Sequence, residues 1–222
     1  MQDVNLDHFL ELELPFFEPR NVRRGGWSGV SRVEWSGEVY FIKRQVNHAY
    51  REARRFFRRT PTLRREVRNT LRLNKIDIPC PEIVIYAEDG PNAMLITREL
   101  SGHIDLDKFL PAATSEHRQS MLKSLVEKMI IMHQNSYKHG CLYGKHIMID
   151  KLDPTNIALI DLEKMRYSPG KKSNAVRDIC QLFRHTDSWL EADLEQIKDS
   201  YESQFAGFIS ELNRKMMHKA SD

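Results

Sequence analysis

The sequence is short of cysteine, with three in 222 residues. Cys80, Cys141 and Cys180 are odd in number and widely spaced, which excludes a disulfide framework and a structural zinc site. Long apolar runs are also missing, and nothing approaches the roughly 20 residues a membrane-spanning helix needs. The opening MQDVNLDHFLELELPFFEPR lacks the basic start and apolar centre of a secretory signal. A reducing, cytoplasmic setting is therefore expected. There is no internal repeat and no low-complexity linker.

What is present fits one domain or two small lobes. Hydrophobic residues make up 41% of the chain, enough to fill a core, so wholesale disorder is excluded. The formal net charge of +3 hides an asymmetry. Residues 1–75 carry 16 Lys/Arg against 9 Asp/Glu, whereas residues 76–222 carry 18 against 22. Within residues 43–75 the count is 12 against 2.

The pattern predicts β structure first and helices later. Residues 27–43 read as a hairpin turning at Ser36-Gly37, with Lys43 ending its second strand. Thr62 is positioned to cap a helix over about 62–74. Two further strands, Glu82–Tyr86 and Ala93–Thr97, turn through Asp89-Gly90-Pro91-Asn92. A short helix is expected from Asp105, and a longer one, capped by Ser115, runs to about Gln134. An irregular stretch over 137–146 leads to Ile147–Ile149, a turn, and Ile157–Ile160. Two or more helices fill about 174–216. The expected class is α+β, with lobes at 1–98 and 99–222.

Several segments stand in a telling order: RGGWSGVSRV, YFIK, LRREVRN, HGCLYGKHIMID, ALIDLEKMR and VRDICQLF. At these positions the chain resembles the protein-kinase-like fold, and more closely the bacterial lipopolysaccharide kinase family, the heptose and Kdo kinases, with its InaA-like branch. The motifs together cover most of residues 24–183. The resemblance implies a two-lobed protein with an antiparallel N-terminal sheet, one helix on it, and a mainly helical C-terminal lobe.

It also implies roles. Gly26, Ser28 and Ser31 stand where the family keeps small residues so that backbone can approach the phosphates of ATP. Lys43 would hold the α- and β-phosphates, with Glu66 pairing to it. Thr97 would be the gatekeeper, and Glu99 and Leu100 would lie in the adenine-binding hinge. Asp161 occupies the place of the metal-binding Asp and would hold Mg²⁺ against phosphate oxygens. Counting from His139 puts Cys141 at the catalytic Asp position and His146 at that of a metal-ligating Asn. Asp178 resembles the buried Asp that anchors the catalytic loop. Only 16 residues separate Asp161 from Asp178, too few for a long activation segment. The implied acceptor is therefore a lipopolysaccharide precursor or another small phosphorylated sugar, met on the cytoplasmic side.

Cys141 leaves two classes open: a phosphotransferase weakened at its base, or a pseudokinase acting as a stress-linked sensor or scaffold. A basic nucleic-acid-binding module is a third class, but no recognised reading motif supports it. The stretch Arg51–Arg59, with five arginines around Phe56 and Phe57, leaves readings open too. It suits phosphorylated glycolipid or anionic headgroups at the inner face of the inner membrane, a nucleic-acid patch, or a solvated face with two core phenylalanines.

Overall fold

A computed structural model describes residues 10–23, 25–52 and 58–217. Arg54, Arg55, Phe56 and Phe57 of the basic stretch lie outside the described residues. The chain divides into two compact units: Met1–Leu71 with Pro81–Leu100, and Arg72–Cys80 with Ser101–Asp222.

The first unit is built on a five-stranded antiparallel sheet. Its strands are β1 (Asn21–Arg23), β2 (Gly26–Trp35), β3 (Glu38–Val46), β6 (Ile83–Asp89) and β7 (Asn92–Arg98), in the order β1-β2-β3-β7-β6. The β2–β3 hairpin turns where expected. Ser36 (φ 53°) and Gly37 (φ 78°) both take positive φ, as a two-residue turn matched to strand twist requires. The second strand does not stop at Lys43, because pairing with β2 and β7 carries it on to Val46. A separate pair, β4 (Ala49–Glu52) and β5 (Arg58–Pro61), precedes helix α1 (Thr62–Asn74).

Alternation along β3 gives the sheet two unlike faces. Ile42 packs with Met94 and Ile96 on one face, joined by Leu10 and Leu14 from the N-terminal segment. On the other face Leu63 of α1 packs with Ala93 and Leu95. Burying a leucine of this kind contributes about 1.5–3 kcal/mol.

The second unit holds the main core. It contains α2 (Leu106–Ala112), α3 (Ser115–Gln134), α4 (Lys171–Arg184), α5 (Glu191–Gln204) and α6 (Phe208–Met217). With them are a three-stranded sheet, ordered β11 (Ile157–Leu159), β10 (Ile147–Asp150), β8 (His103–Asp105), and a ladder of β9 (Tyr137–Lys138) with β12 (Arg166–Tyr167). Leu125, Met129, Ile149, Leu159, Ile179 and Tyr201 belong to one continuous buried cluster, which also takes in Leu73 and Ile78. Thr114, not Ser115, caps α3: its hydroxyl accepts the His117 amide at 3.2 Å. No helix among the described residues is long and apolar enough to cross a membrane.

Candidate active site

In the first unit, Lys43 lies within β3, opposite Val30 on β2 and Leu95 on β7. Its ammonium donates to the Glu66 carboxylate on α1. Glu66 is buried, and the Lys43 side chain is 23% exposed, so the pair is open on the lysine side. Two residues along the same strand face, the fully buried Gln45 serves α1 as well. Its amide nitrogen donates to the Thr62 hydroxyl, and its carbonyl accepts the Leu63 amide at 3.1 Å. Gln45 thus caps the helix in which Thr62 was the expected cap, and a first-turn donor that would otherwise be orphaned is satisfied. The period of two from Lys43 to Gln45 was the sequence signal for this residue.

The small residues of β2 do not form a free loop, because Gly26 pairs with Arg23 of β1 and the rest pair with β3. Ser28 lies opposite Gln45 and shares the face of Lys43. Ser31 lies opposite Ile42 on the other face. It is fully buried there, and its hydroxyl accepts from the Arg44 guanidinium at 3.3 Å. Its side chain is therefore not brought to Lys43. Gly26 answers a packing demand, since a Cβ would fall 2.5 Å from the carbonyls of Val46 and Asn47. Gly29 does likewise: a Cβ would strike the Phe16 ring at 2.4 Å.

Phe16 belongs to the N-terminal segment, and Arg44 is what ties that segment down. The guanidinium, 2% exposed, donates to the Leu12 and Leu14 carbonyls and stacks 5.1 Å over the Phe16 ring. Burial holds its pKa below the usual arginine value, with the Arg20 charge adding to the effect. Farther along the sheet, the Glu99 amide donates to the Val39 carbonyl at 2.8 Å, and its carboxylate pairs with Arg32 at 2.9 Å. Leu100 follows, half-buried.

In the second unit, one carboxylate organises the loop after β9. Asp178, fully buried on α4, accepts the backbone amides of His139 at 2.7 Å and Gly140 at 3.0 Å. It also accepts the His133 Nε2–H at 3.1 Å, leaving His133 Nδ1 to take the Tyr201 hydroxyl proton at 3.0 Å. Burial, reinforced by the Asp178 charge, drives the Tyr201 pKa well up, so the phenol stays a donor. His139 is also fully buried, and its Nε2 donates to the Ile160 carbonyl at 3.2 Å. Burial pulls its pKa down and keeps the ring neutral.

The same hairpin brings His146 and Asp161 together. β10 and β11 pair Ile147 with Leu159, and the Ile160 amide donates to the His146 carbonyl at 3.0 Å. The residues flanking the hairpin must then face each other, and His146 Nε2 lies 3.4 Å from Asp161 Oδ2. His146 Nδ1 donates to the Cys141 carbonyl at 2.8 Å, so a ring carrying one proton presents its Nε2 lone pair to the carboxylate. Two acceptors that converge in this way call for a proton or a metal cation. Asp161 itself takes φ 57° and ψ 53°, a left-handed backbone that Asp and Asn tolerate better than most residues.

Cys141 is 3% exposed. The Lys164 pKa is raised, chiefly by its hydrogen bond to the Cys141 sulfur. That of Tyr143 is raised by burial and then by the same sulfur. Neither neighbour was anticipated from the sequence, because Lys164 reaches the thiol from the turn after Asp161. Among the described residues no three His, Cys, Asp or Glu side chains converge as a metal site.

An antiparallel sheet carrying a lysine–glutamate pair, with a helical unit whose buried aspartate anchors a loop beside a second aspartate, defines a kinase-like protein. The chain belongs to the lipopolysaccharide kinase (Kdo/WaaP) family, whose model matches residues 7–201. It is 32% identical to Protein InaA of Escherichia coli (strain K12) over 204 residues, covering 88% of this chain and 94% of that protein. Solved structures share the fold. That of WaaP in complex with acyl carrier protein matches at TM-score 0.64 and 19% identity, over 91% of this chain and 89% of that one. An aminoglycoside-3'-phosphotransferase of type VIII matches at TM-score 0.57 and 14% identity, over 90% and 92%.

Proposed function

We propose that the protein transfers the γ-phosphoryl group of ATP to a hydroxyl of a lipopolysaccharide precursor or another small phosphorylated sugar. The observation that carries this reading is the Lys43–Glu66 pair in a chain of this family. Glu66 aims the Lys43 ammonium, and Lys43 binds the α- and β-phosphates. Backbone at Gly26, Ser28 and Ser31 would lie along the phosphates, and Glu99 and Leu100 along the adenine. Asp161 would hold Mg²⁺, with His146 as its neighbour, and the cation neutralises charge on the transferring phosphates. The site suits a hard cation that takes one carboxylate and leaves its other positions to phosphate and water. Asp178 holds the loop in place, so its amides need no rearrangement during the reaction.

The acceptor proton has no carboxylate at position 141. Phosphoryl transfer passes through a loose transition state in which positioning and charge neutralisation dominate, and a general base adds about 10²–10⁴-fold. Transfer without that base is slow and still possible. The short chain between Asp161 and Asp178 favours a small acceptor over a peptide, and we read the encounter as cytoplasmic.

Calorimetric titration with Mg-ATP, followed by phosphate transfer to a panel of core sugars, tests the reading. ATP binding is expected, with transfer that Asp161→Asn lowers by about 10²–10³-fold. Folded wild type that binds no nucleotide would sink the proposal. Binding with no transfer to any acceptor would favour the sensor or scaffold instead.

A further inference from the structure

Away from Lys43, Asp161 and His146, the second unit gathers cations whose purpose the proposed reaction does not explain. A cavity of about 260 Å³ between α4 and α6 is lined by Ser173, Val176, Arg177, Glu211, Arg214 and Lys215. Its one acid, Glu211, already faces the Lys172 ammonium at 3.9 Å. Lys138 of β9 lies directly opposite Arg166 of β12. Like charges directly opposite on a ladder repel, and this one is held against that repulsion by the Tyr137–Tyr167 ring contact and the Ser168 amide's bond to the Ser136 carbonyl at 2.8 Å.

The two groups are neighbours, because α4 packs against β9 and its Asn174 amide donates to the Ser168 carbonyl, just past β12, at 2.7 Å. The Lys138 pKa is pulled below the usual lysine value by burial first, then by the charges of Arg177, Arg166 and Lys215, with Asp178 acting in the opposite direction. Asp178 acts against the cluster through its charge, but it is fully buried and its oxygens bond the His139 and Gly140 amides and His133 rather than any of these cations. Among the described residues no carboxylate lies within ion-pair distance of Lys138, Arg166, Arg177, Arg214 or Lys215. The first turn of α4 adds no acid. A cluster of this kind suits an anion, because guanidinium groups favour planar, bidentate recognition of phosphate.

We infer that the cavity between α4 and α6 is a binding site for a compact soluble phosphate compound. The volume suits one or two phosphate groups with little attached. Bound there, the anion would offset the repulsion between Lys138 of β9, which leads into the loop anchored by Asp178, and Arg166 of β12, which follows Asp161. Occupancy would therefore stiffen both segments. The site does not depend on the kinase reading and is distinct from the phosphates of ATP.

The test uses pyrophosphate as the probe, titrated by calorimetry into the whole protein at fixed ionic strength, with amide hydrogen exchange as the second readout. Wild type should bind, with exchange slowed at residues 137–138 and 166–167. The exposed double variant Arg177→Gln/Arg214→Gln should bind about tenfold more weakly or worse, as loss of charge-assisted bonds requires. Arg214→Gln/Lys215→Gln, which leaves α4 untouched, should do the same. No binding by wild type would overturn the inference. So would undiminished binding by both variants, or protection confined to the β2–β3 hairpin and α1.

Discussion

Two side-chain pairs, one in each unit, are built in opposite ways. Lys43 and Glu66 complete each other, cation against anion, across the interface of β3 with α1. His146 and Asp161 face each other as acceptors, 3.4 Å apart, held there by the β10–β11 hairpin. The first pair is stable as it stands, and whatever it binds must compete with an existing bond. The second sets acceptor against acceptor, and a shared proton or a cation would relieve it. Removing a charge should therefore cost stability in one unit and little or none in the other.

The largest effect is expected beneath the second pair. Asp178→Ala would leave the His139 and Gly140 amides and His133 without their acceptor, at a cost of about 3 kcal/mol or more. Urea denaturation should show it, and retained stability would mean that the loop does not rest on Asp178. The comparison itself is broken or sharpened next by a matched pair of substitutions. Lys43→Met should destabilise by about 2 kcal/mol, because Glu66 stays buried and uncompensated while solvent reaches the lysine side. Asp161→Asn should stay within about 0.5 kcal/mol, since Asn accepts the left-handed backbone and the acceptor clash is eased. Both should lower phosphate transfer by about 10²–10³-fold. Equal stability losses for the two would refute the contrast.

A smaller effect concerns helix α1. Gln45→Leu should cost about 1–2 kcal/mol by leaving the Leu63 amide uncapped in the core, readable as a lower midpoint in urea. The smallest is a pH dependence. His139 has a lowered pKa in the folded protein, so the unfolded chain takes up a proton first as pH falls through about 6.5. The melting temperature should fall between pH 7 and pH 5.5, and fall less steeply in His139→Gln. An unchanged slope would assign the dependence to other groups.

The fold class was legible because the long elements carry strong periodic signals. Helix α3 runs from Ser115 to Gln134, as its apolar spacing indicated, and the Ser36-Gly37 turn lies where its residues placed it. The polar strands of two or three residues, β1, β8, β9 and β12, were not legible, whereas the apolar runs of β10 and β11 were. Side-chain direction was harder still. Ser28 and Ser31 look alike in sequence, yet register sends one towards Lys43 and the other under Arg44. The contacts of Cys141 with Lys164 and of Arg44 with the Leu12 carbonyl join residues far apart in the chain, and nothing local marks them.

The attachment of α1 has a mechanical consequence. A helix fastened at one point can pivot about it. Here Gln45 grips the start of the helix and Lys43 grips it one turn later, both from the same strand face. The Arg64 guanidinium adds a third hold by forking onto Glu88 of β6. Swinging α1 outward to part Lys43 from Glu66 would also uncap its own first turn and break the Arg64 fork, so the helix moves with the sheet as a single lever or not at all. Control of this protein by a rotating helix would first have to undo three fastenings at once.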